Sequence, residues 1–272
     1  MIITNLTGGL GNQMFQYALG RHLALKNKTK LKLHFTNALF NTKRDYELSI
    51  FDIKATLATR EDLNKMGVME NRIVNRLLYL IEDRLSIKLN KKIVTERPPY
   101  RFNHSVLSLT DNIYLQGYWQ DENYFKDIEN IIRKDFTFTN PLDEKNRQIV
   151  DLIKKTDSVS IHVRRGDYVS NPLTKAKLGV LPFGYYKKSI DKIKKMVKKP
   201  VFFVFSDDIP WCRHNLKIGD NVYFIDHNKG IYSYRDMQLM SLCRHNIIAN
   251  STFSWWAGWL NDDKRKIIIK PK

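Results

Sequence analysis

The chain has 272 residues, of which 43% are hydrophobic and 12% aromatic, with a formal net charge of +18 and a pI near 9.7. Such a length suits two modest domains, and such an apolar content fills packed interiors, which excludes an intrinsically disordered chain. The positive excess predicts an anionic partner (a phosphorylated ligand, nucleic acid or a membrane surface), while Cys212 and Cys243 lack metal-ligand spacing and read as core thiols of a reducing compartment.

Met1 to Leu6 reads as a short buried strand, Thr7 to Gln13 (TGGLGNQ) as a glycine-rich turn, Met14 to Lys26 as a helix and Leu31 to Phe35 as a second strand. The opening is therefore a β-loop-α-β unit. The first residues carry no charged start, long apolar core or cleavage site, so no secretory signal is expected. The sequons at Asn5, Asn27, Asn103 and Asn250 then read as chance matches. From Thr36 to about Ser108 the pattern is less regular. Thr59 with Asp62 three residues on forms a capping box ahead of a helix reaching Met66. Asn71 to Leu85 is amphipathic. Its most apolar part, from Ile73, carries two Arg, Glu and Asp, so no membrane-spanning helix is expected. Pro98-Pro99 marks a loop, Ile113 to Leu115 a strand and Tyr124 to Asp135 a helix.

A helix ends near Lys155, and from there short apolar strands alternate with helices. The strands are Val159 to Val163, Val201 to Phe205, Val222 to Ile225, Ile247 to Ala249 and Ile267 to Ile269. The helices are Tyr185 to Val197, Tyr234 to Leu242 and Phe253 to Leu260. That alternation predicts an α/β fold with a parallel sheet covered on both faces. A domain boundary is expected between residues 140 and 156, and we set it at 153/154. Open parallel sheets bind ligands at the carboxyl ends of their strands. HVRRGD, FSDD, FIDH and ANSTFS all lie where a strand runs out.

Arg164 and Arg165 follow the first strand of this half. A guanidinium is a planar fork of donors that grips phosphate oxygens and stays charged, as a departing diphosphate requires. The plainer reading is an ion pair with Asp167 beside a solvated arginine. GGLGNQ joins a strand to a helix N-terminus as a nucleotide loop does. Yet Gly9-x-Gly11 is followed by Met14 instead of a third glycine, and no acidic residue closes the second strand. Its glycines either admit a ligand, with Asn12 and Gln13 offering amides, or shape a turn. Asp207 and Asp208 could hold a metal, but adjacent carboxylates diverge and the arginines make a cation redundant. Ribose-hydroxyl binding or a helix N-cap is preferred. Ser251, Thr252 and Ser254 open an aromatic helix whose first amides favour an anion, while Trp255, Trp256 and Trp259 read as core. Lys187 to Lys199 holds seven lysines, a solvated helix face or one drawn to an anionic leaflet. His162, His214, His227 and His245 show no zinc spacing.

In order, GGLGNQMFQYALGRHLA (Gly8 to Ala24), GYWQDENYF (Gly117 to Phe125), HVRRGDY (His162 to Tyr168), FSDD and NSTFSWWAGWL (Asn250 to Leu260) resemble the bacterial α-1,2-fucosyltransferases of glycosyltransferase family 11. The matches span nearly the whole chain, and HVRRGDY alone is shared more loosely with other fucosyltransferases. The resemblance implies a GT-B-like fold, two Rossmann-like halves facing a cleft. Residues 1–153 would form an acceptor-side domain and residues 154–272 a GDP-fucose-binding domain.

It further implies inverting transfer from GDP-β-L-fucose to the 2-hydroxyl of a galactose-containing glycan of surface-polysaccharide or O-antigen type, with no cofactor and no essential metal. Carried onto these residues, Arg164 neutralises the departing GDP with Arg165 in support, and His162 lines the nucleotide site. Asp236 reads guanine, and Ser251, Thr252 and Ser254 meet phosphate. Asn12 faces the reacting sugar; apart from the resemblance, Gly9 and Gly11 are read as admitting the donor and Asp207 and Asp208 as meeting its ribose. Asp167 is the nearest matching carboxylate for the acceptor's proton, or else fixes the arginines. The expected location is cytoplasmic, peripheral at the inner leaflet where the acceptor is lipid-linked. A segment beyond Lys272 is also expected. Two alternatives stand beside this reading: another nucleotide-sugar glycosyltransferase of the same fold, and a basic nucleic-acid-binding protein, for which no known motif is present.

Overall fold

The computed structural model describes residues 1–35, 46–68, 90–166, 169 and 179–271. The amphipathic stretch Asn71 to Leu85 and the carboxylate Asp167 lie outside these. The chain divides into two compact units, Met1–Thr139 and Asn140–Lys272. The division therefore precedes helix Glu144–Lys155, which packs on the second unit's own elements.

The first unit is a five-stranded parallel sheet in the order β3-β2-β1-β5-β4. Its elements are β1 (Ile2–Leu6), α1 (Leu10–Lys26), β2 (Leu31–Phe35), β3 (Thr56–Leu57), α2 (Arg60–Lys65), β4 (Ile93–Thr95), β5 (Ile113–Gln116) and α3 (Glu129–Asp135). β1 is buried along its whole length because it pairs on both edges, Ile2 lying level with Leu31 and Ile113. α1 is buried nearly all round and touches the sheet closely. A Cβ on Gly20 would sit 2.2 Å from Thr4 Oγ1 and 2.8 Å from Leu31 Cδ1.

Two expectations shift here. α1 begins at Leu10 instead of Met14, since the amides of Asn12 and Gln13 already bond to Gly9 O at 2.9 and 3.1 Å. The glycine-rich stretch is thus the helix's first turn. The expected helix from Tyr124 is broken into two 3₁₀ turns, Glu122–Tyr124 and Lys126–Ile128, before α3 begins. Tyr124 and Phe125 are both buried, and consecutive positions of one α-helix point about 100° apart.

The second unit is again a parallel five-stranded sheet, in the order β10-β9-β6-β7-β8. In chain order it comprises α4 (Glu144–Lys155), β6 (Asp157–Val163), α5 (Phe183–Met196), β7 (Pro200–Ser206), α6 (Ile209–Asn215), β8 (Val222–Ile225), α7 (Tyr234–Leu242), β9 (His245–Ile247), α8 (Thr252–Leu260) and β10 (Ile268–Ile269). Val159, Ile161 and Val163 of β6 meet Ile190 and Ile193 of α5 in one apolar core. β9 ends earlier than expected, because the Ala249 amide turns to the Ser254 hydroxyl at 3.1 Å. On α5 the buried stripe is Tyr186, Ser189, Ile190 and Ile193, and Lys187, Lys188, Lys192 and Lys195 form an exposed face. No helix among the described residues is long and apolar enough to cross a membrane.

Each half is Rossmann-like, and each has a point where the strand order reverses. In the second sheet, successive crossovers run outward from β6 to β7 and β8, then on the other side to β9 and β10. The reversal therefore falls between β6 and β9. In the first sheet it falls between β1 and β5. Ligands of open α/β sheets sit outside the carboxyl strand ends at such points.

The capping box at Thr59 is present in full: the Asp62 amide donates to Thr59 Oγ1 at 3.2 Å and the Thr59 amide to Asp62 Oδ2 at 2.8 Å. Lys32 of β2, 2.5 Å from Asp62 Oδ2, and the Thr59 amide together pull that carboxyl down to about 2. Thr59→Ala should lower unfolding stability by about 0.5–2 kcal/mol in chemical denaturation, as lost N-caps do. The Asp62 contribution should be present above about pH 4 and fade as pH falls towards 2, because the unfolded state then binds the proton more readily.

Candidate active site

β6 and β7 run level to their ends, Val163 beside Ser206, so the residues that follow them face each other. Arg164 Nη1 lies 2.9 Å from Asp207 Oδ2, and Arg165 Nε lies 3.0 Å from Asp208 Oδ2. Asp207 Oδ1 also accepts the Arg165 amide at 2.8 Å. Gly166 permits this approach, since a Cβ there would come within 2.6 Å of Asp207 Oδ2. Asp208 Oδ1 takes the Trp211 amide at 3.1 Å and so caps α6, and the Arg165 guanidinium lies 4.0 Å over the Trp211 ring. The described ion-pair partners of the arginines are thus Asp207 and Asp208. The two carboxylates diverge, as adjacent ones do, each to its own arginine.

Across the reversal point from β6, the chain leaving β9 opens α8. Ser251 is its N-cap in extended conformation and makes no side-chain hydrogen bond to the helix amides. Thr252 is half-buried at the first helical position. Ser254 departs from expectation. Its hydroxyl is fully buried, accepts from the Ala249 amide and donates to Ser251 O at 3.3 Å. It holds the loop. Trp256 and Trp259 are buried, and Trp256 meets both Trp255 and Trp259 edge-on at 5.0 Å.

His162, the penultimate residue of β6, is 6% exposed and packs on Phe253 of α8 with ring centroids 5.7 Å apart. Burial, reinforced by the positive charge of Arg164, pushes its imidazole down to about 3. It is a neutral ring at any ordinary pH, and its buried Nδ1 has no hydrogen-bond partner among the described residues. Beside it stand a guanidinium and a helix N-terminus, both suited to an anion.

Asp236 is not part of this group. It lies in the first turn of α7 and accepts from Asn228 Nδ2 at 2.9 Å. Asn228 is paired with Asn146 of α4 at 2.9 and 3.1 Å, and Asn146 also meets Asp143 and His227. Burial lifts the Asp236 carboxyl to about 7, against the opposing pull of Asn228. Nothing in the sequence flagged Asn146 or Asn228, because an asparagine in a helix or loop carries no periodic signal.

In the first unit the reversal point is lined by Gly8 to Asn12, after β1, and Gly117 to Gln120, after β5. The left-handed residue of the turn is Gly8, at φ +76°, so the special backbone falls one residue before the glycines singled out. Gly9 caps α1, and Gly11 is buried in its first turn. Asn12 Oδ1 accepts from Gln120 Nε2 at 2.9 Å. No cluster of His, Cys, Asp or Glu among the described residues is placed to hold a metal ion.

The profile of glycosyl transferase family 11 matches residues 1–272. An α-1,2-colitosyltransferase of Escherichia coli is 36% identical over 100% of the chain and 91% of its own length. The O-antigen biosynthesis glycosyltransferase WbnK of E. coli is 34% identical over 98% and 92%. A mouse galactoside α-(1,2)-fucosyltransferase is 31% identical over 54% of the chain and 44% of its own length. Among solved structures, the α-1,6-fucosyltransferase NodZ soaked with GDP-fucose superposes with a TM-score of 0.54 over 95% of this chain and 91% of that one, at 14% identity. That likeness concerns the fold.

Two titrations follow. The His162 ring resonances should hold their neutral positions from pH 8 down to pH 5 in NMR. Its stability contribution should be present above the unfolded value of about 6.5 and be lost as pH falls towards 3. Asp236 runs the other way. Its raised carboxyl favours folding fully below about pH 4, and the benefit is lost as pH rises through about 7. Asp236→Asn should therefore raise the melting temperature at pH 8 and bring no gain at pH 4.

Proposed function

The chain belongs to glycosyl transferase family 11, and on that premise we propose that it transfers L-fucose from GDP-β-L-fucose, with inversion, to the 2-hydroxyl of a galactose-containing glycan of the surface-polysaccharide or O-antigen type. The observation that carries this reading is Arg164 at the β6–β9 reversal point, beside the N-terminus of α8. A diphosphate there meets a guanidinium and helix amides together. A guanidinium has five donors, and Asp207 holds it at Nη1, which aligns the fork.

In the step itself, the acceptor hydroxyl oxygen bonds to the anomeric carbon while the bond from that carbon to the diphosphate oxygen breaks. GDP leaves with the bonding pair, and the hydroxyl proton passes to a base. Arg164 meets the growing negative charge, with Arg165 fixed behind it by Asp208 and Trp211. His162 stays neutral and lines the nucleotide side. Residues 140–272 hold the donor, and residues 1–139, through Asn12, take the acceptor. Asp167 follows Gly166 directly and is the carboxylate assigned to the hydroxyl's proton. Asp236, in its polar network beyond β8, serves guanine. The step needs no metal, because the charge on the leaving group is met by Arg164 and amide donors.

The 36% identity to an α-1,2-colitosyltransferase favours one second reading, colitosyl transfer by the same step. Colitose lacks the 3-hydroxyl of fucose. A site built to bond that hydroxyl rejects the deoxy sugar by about 10⁴–10⁵, whereas an apolar site discriminates weakly. The test is transfer to a panel of β-galactosides in EDTA, with GDP-fucose and GDP-colitose compared. A new 2-linked fucose supports the first reading, turnover of GDP-colitose alone the second, and turnover of neither overturns both. Arg164→Ala should cut kcat by about 10²–10³, as removal of one transition-state donor does. Folding should be intact by circular dichroism, and full activity in that variant would sink the mechanism.

A further inference from the structure

The loop after β5 in the first unit is built at unusual cost. Trp119 takes a left-handed backbone, φ +55°, although it carries a large side chain. Such a conformation is strained for a bulky side chain and persists only where its surroundings impose it. The ring is buried, and its indole nitrogen has no hydrogen-bond partner among the described residues. Three contacts impose this geometry. Glu96 Oε2, just past β4, accepts the consecutive amides of Tyr118 and Trp119 at 2.7 and 3.0 Å. Gln16, buried in α1, donates to Gly117 O at 2.8 Å while its other end accepts the Thr7 amide at 3.0 Å. Gly117 cannot be replaced, since a Cβ would lie 2.4 Å from Glu96 Cβ and 2.9 Å from Trp119 Cε2.

The opposite loop is stapled in the same manner. Gln13 is buried, donates to Gly8 O at 3.0 Å and accepts the Glu47 amide at 2.9 Å. Glu47 in turn accepts the Leu10 amide at 3.2 Å. Asn12 Nδ2 lies over Gly8, in the place a Cβ would fill at 2.4 Å. Both loops are thus held by side-chain hydrogen bonds, both flank the reversal point between β1 and β5, and Gln120 Nε2 at the tip of one meets Asn12 Oδ1 of the other at 2.9 Å. Packing alone does not call for this arrangement, because Gln120 is exposed.

We propose that Gln120 is a positioning residue for Asn12, and that the Asn12 amide, held in this way, seats the hydroxyls of the acceptor sugar. Gln120 fixes which end of the Asn12 amide is engaged, so that Asn12 meets the sugar in one orientation. Glu96 acts one step back by holding the backbone that aims Gln120. The inference rests on the reading above, in which the first unit takes the acceptor. Amides are apt for the task because each offers a donor and an acceptor without adding charge. A sugar hydroxyl, itself donor and acceptor, is the matching group.

The test is a double-mutant cycle over Asn12→Ala and Gln120→Ala, read as acceptor KM and kcat with donor saturating. Asn12→Ala should reduce kcat/KM for the galactoside about tenfold or more, and Gln120→Ala by a similar factor. The double variant should be no worse than Asn12→Ala alone, because Gln120 works through Asn12. GDP affinity by calorimetry should be unchanged in all three. Glu96→Gln, which keeps an oxygen for the amides, should retain more activity than Glu96→Ala. Losses that multiply in the double variant, or a Gln120→Ala enzyme with unaltered acceptor kinetics, would overturn the proposal.

A second readout needs no turnover. Titration of the chain with a methyl β-galactoside should shift the side-chain amide resonances of Asn12 and Gln120, and less so in Gln120→Ala. If wild-type protein turns over no GDP-sugar yet these amides shift, the donor reading fails and the clamp stands. Amides that stay still at saturating galactoside refute the clamp.

Discussion

Two adjacent arginines at a strand end repel each other, and the local structure of the second unit follows from how that repulsion is met. β6 solves this by ending level with β7, whose next two residues are both carboxylates. Arg164 takes Asp207 and Arg165 takes Asp208. Each carboxylate has a second duty, Asp207 on the Arg165 amide and Asp208 at the head of α6. The guanidinium groups are therefore fixed in orientation without any contact from a ligand. Such preorganisation is what a site needs to meet charge that appears only in the transition state.

The same economy governs the two reversal points. In the second unit the site is made of charge, with Arg164 next to the amides that open α8 and a neutral His162 beneath. In the first it is made of uncharged amides, held by Gln13, Gln16 and Glu96. Both sets of loops need glycine where backbone approaches something closely, at Gly166 against Asp207 and at Gly117 against Glu96. A charged end suits a nucleotide diphosphate and an amide end suits a sugar, which is a physical reason for one chain to carry two such halves.

The strands and helices of the second unit were legible in the sequence because parallel sheets covered on both faces leave short apolar runs. β8 and α7 have the bounds that their periodicity predicts. The capping box at Thr59 was equally legible, since Thr and Asp three apart encode a local bond. Less was legible where consecutive residues are both buried. Tyr124 and Phe125 looked helical by composition, yet two neighbouring rings facing inward broke the helix into 3₁₀ turns. Of the candidate site, the strand-end positions were readable and the partners were not. Asp207 as partner of Arg164 depends on the register of β6 with β7, and Gln120 meets Asn12 across 108 residues. The partners of Ser254 were hidden for a similar reason. A hydroxyl at a helix start points to an anion in sequence, but here the turn folds it back onto Ala249 and Ser251.

Net charge alone says little about the candidate site. The net +18 suggested a field that would draw polyanions, yet the four side chains at the end of β6 and β7 sum to zero. Donor geometry and the α8 amides would meet an anion at that point more directly than bulk attraction would. The excess stands on surfaces such as the lysine face of α5, whose buried stripe belongs to the same core as β6. Screening acts on the two very differently. At physiological salt the Debye length is about 8 Å, so an exposed lysine face loses much of its reach while the held arginines lose little. A protein whose function resided in its net charge would weaken steeply with salt; one whose function resides in four paired side chains and a helix end would not.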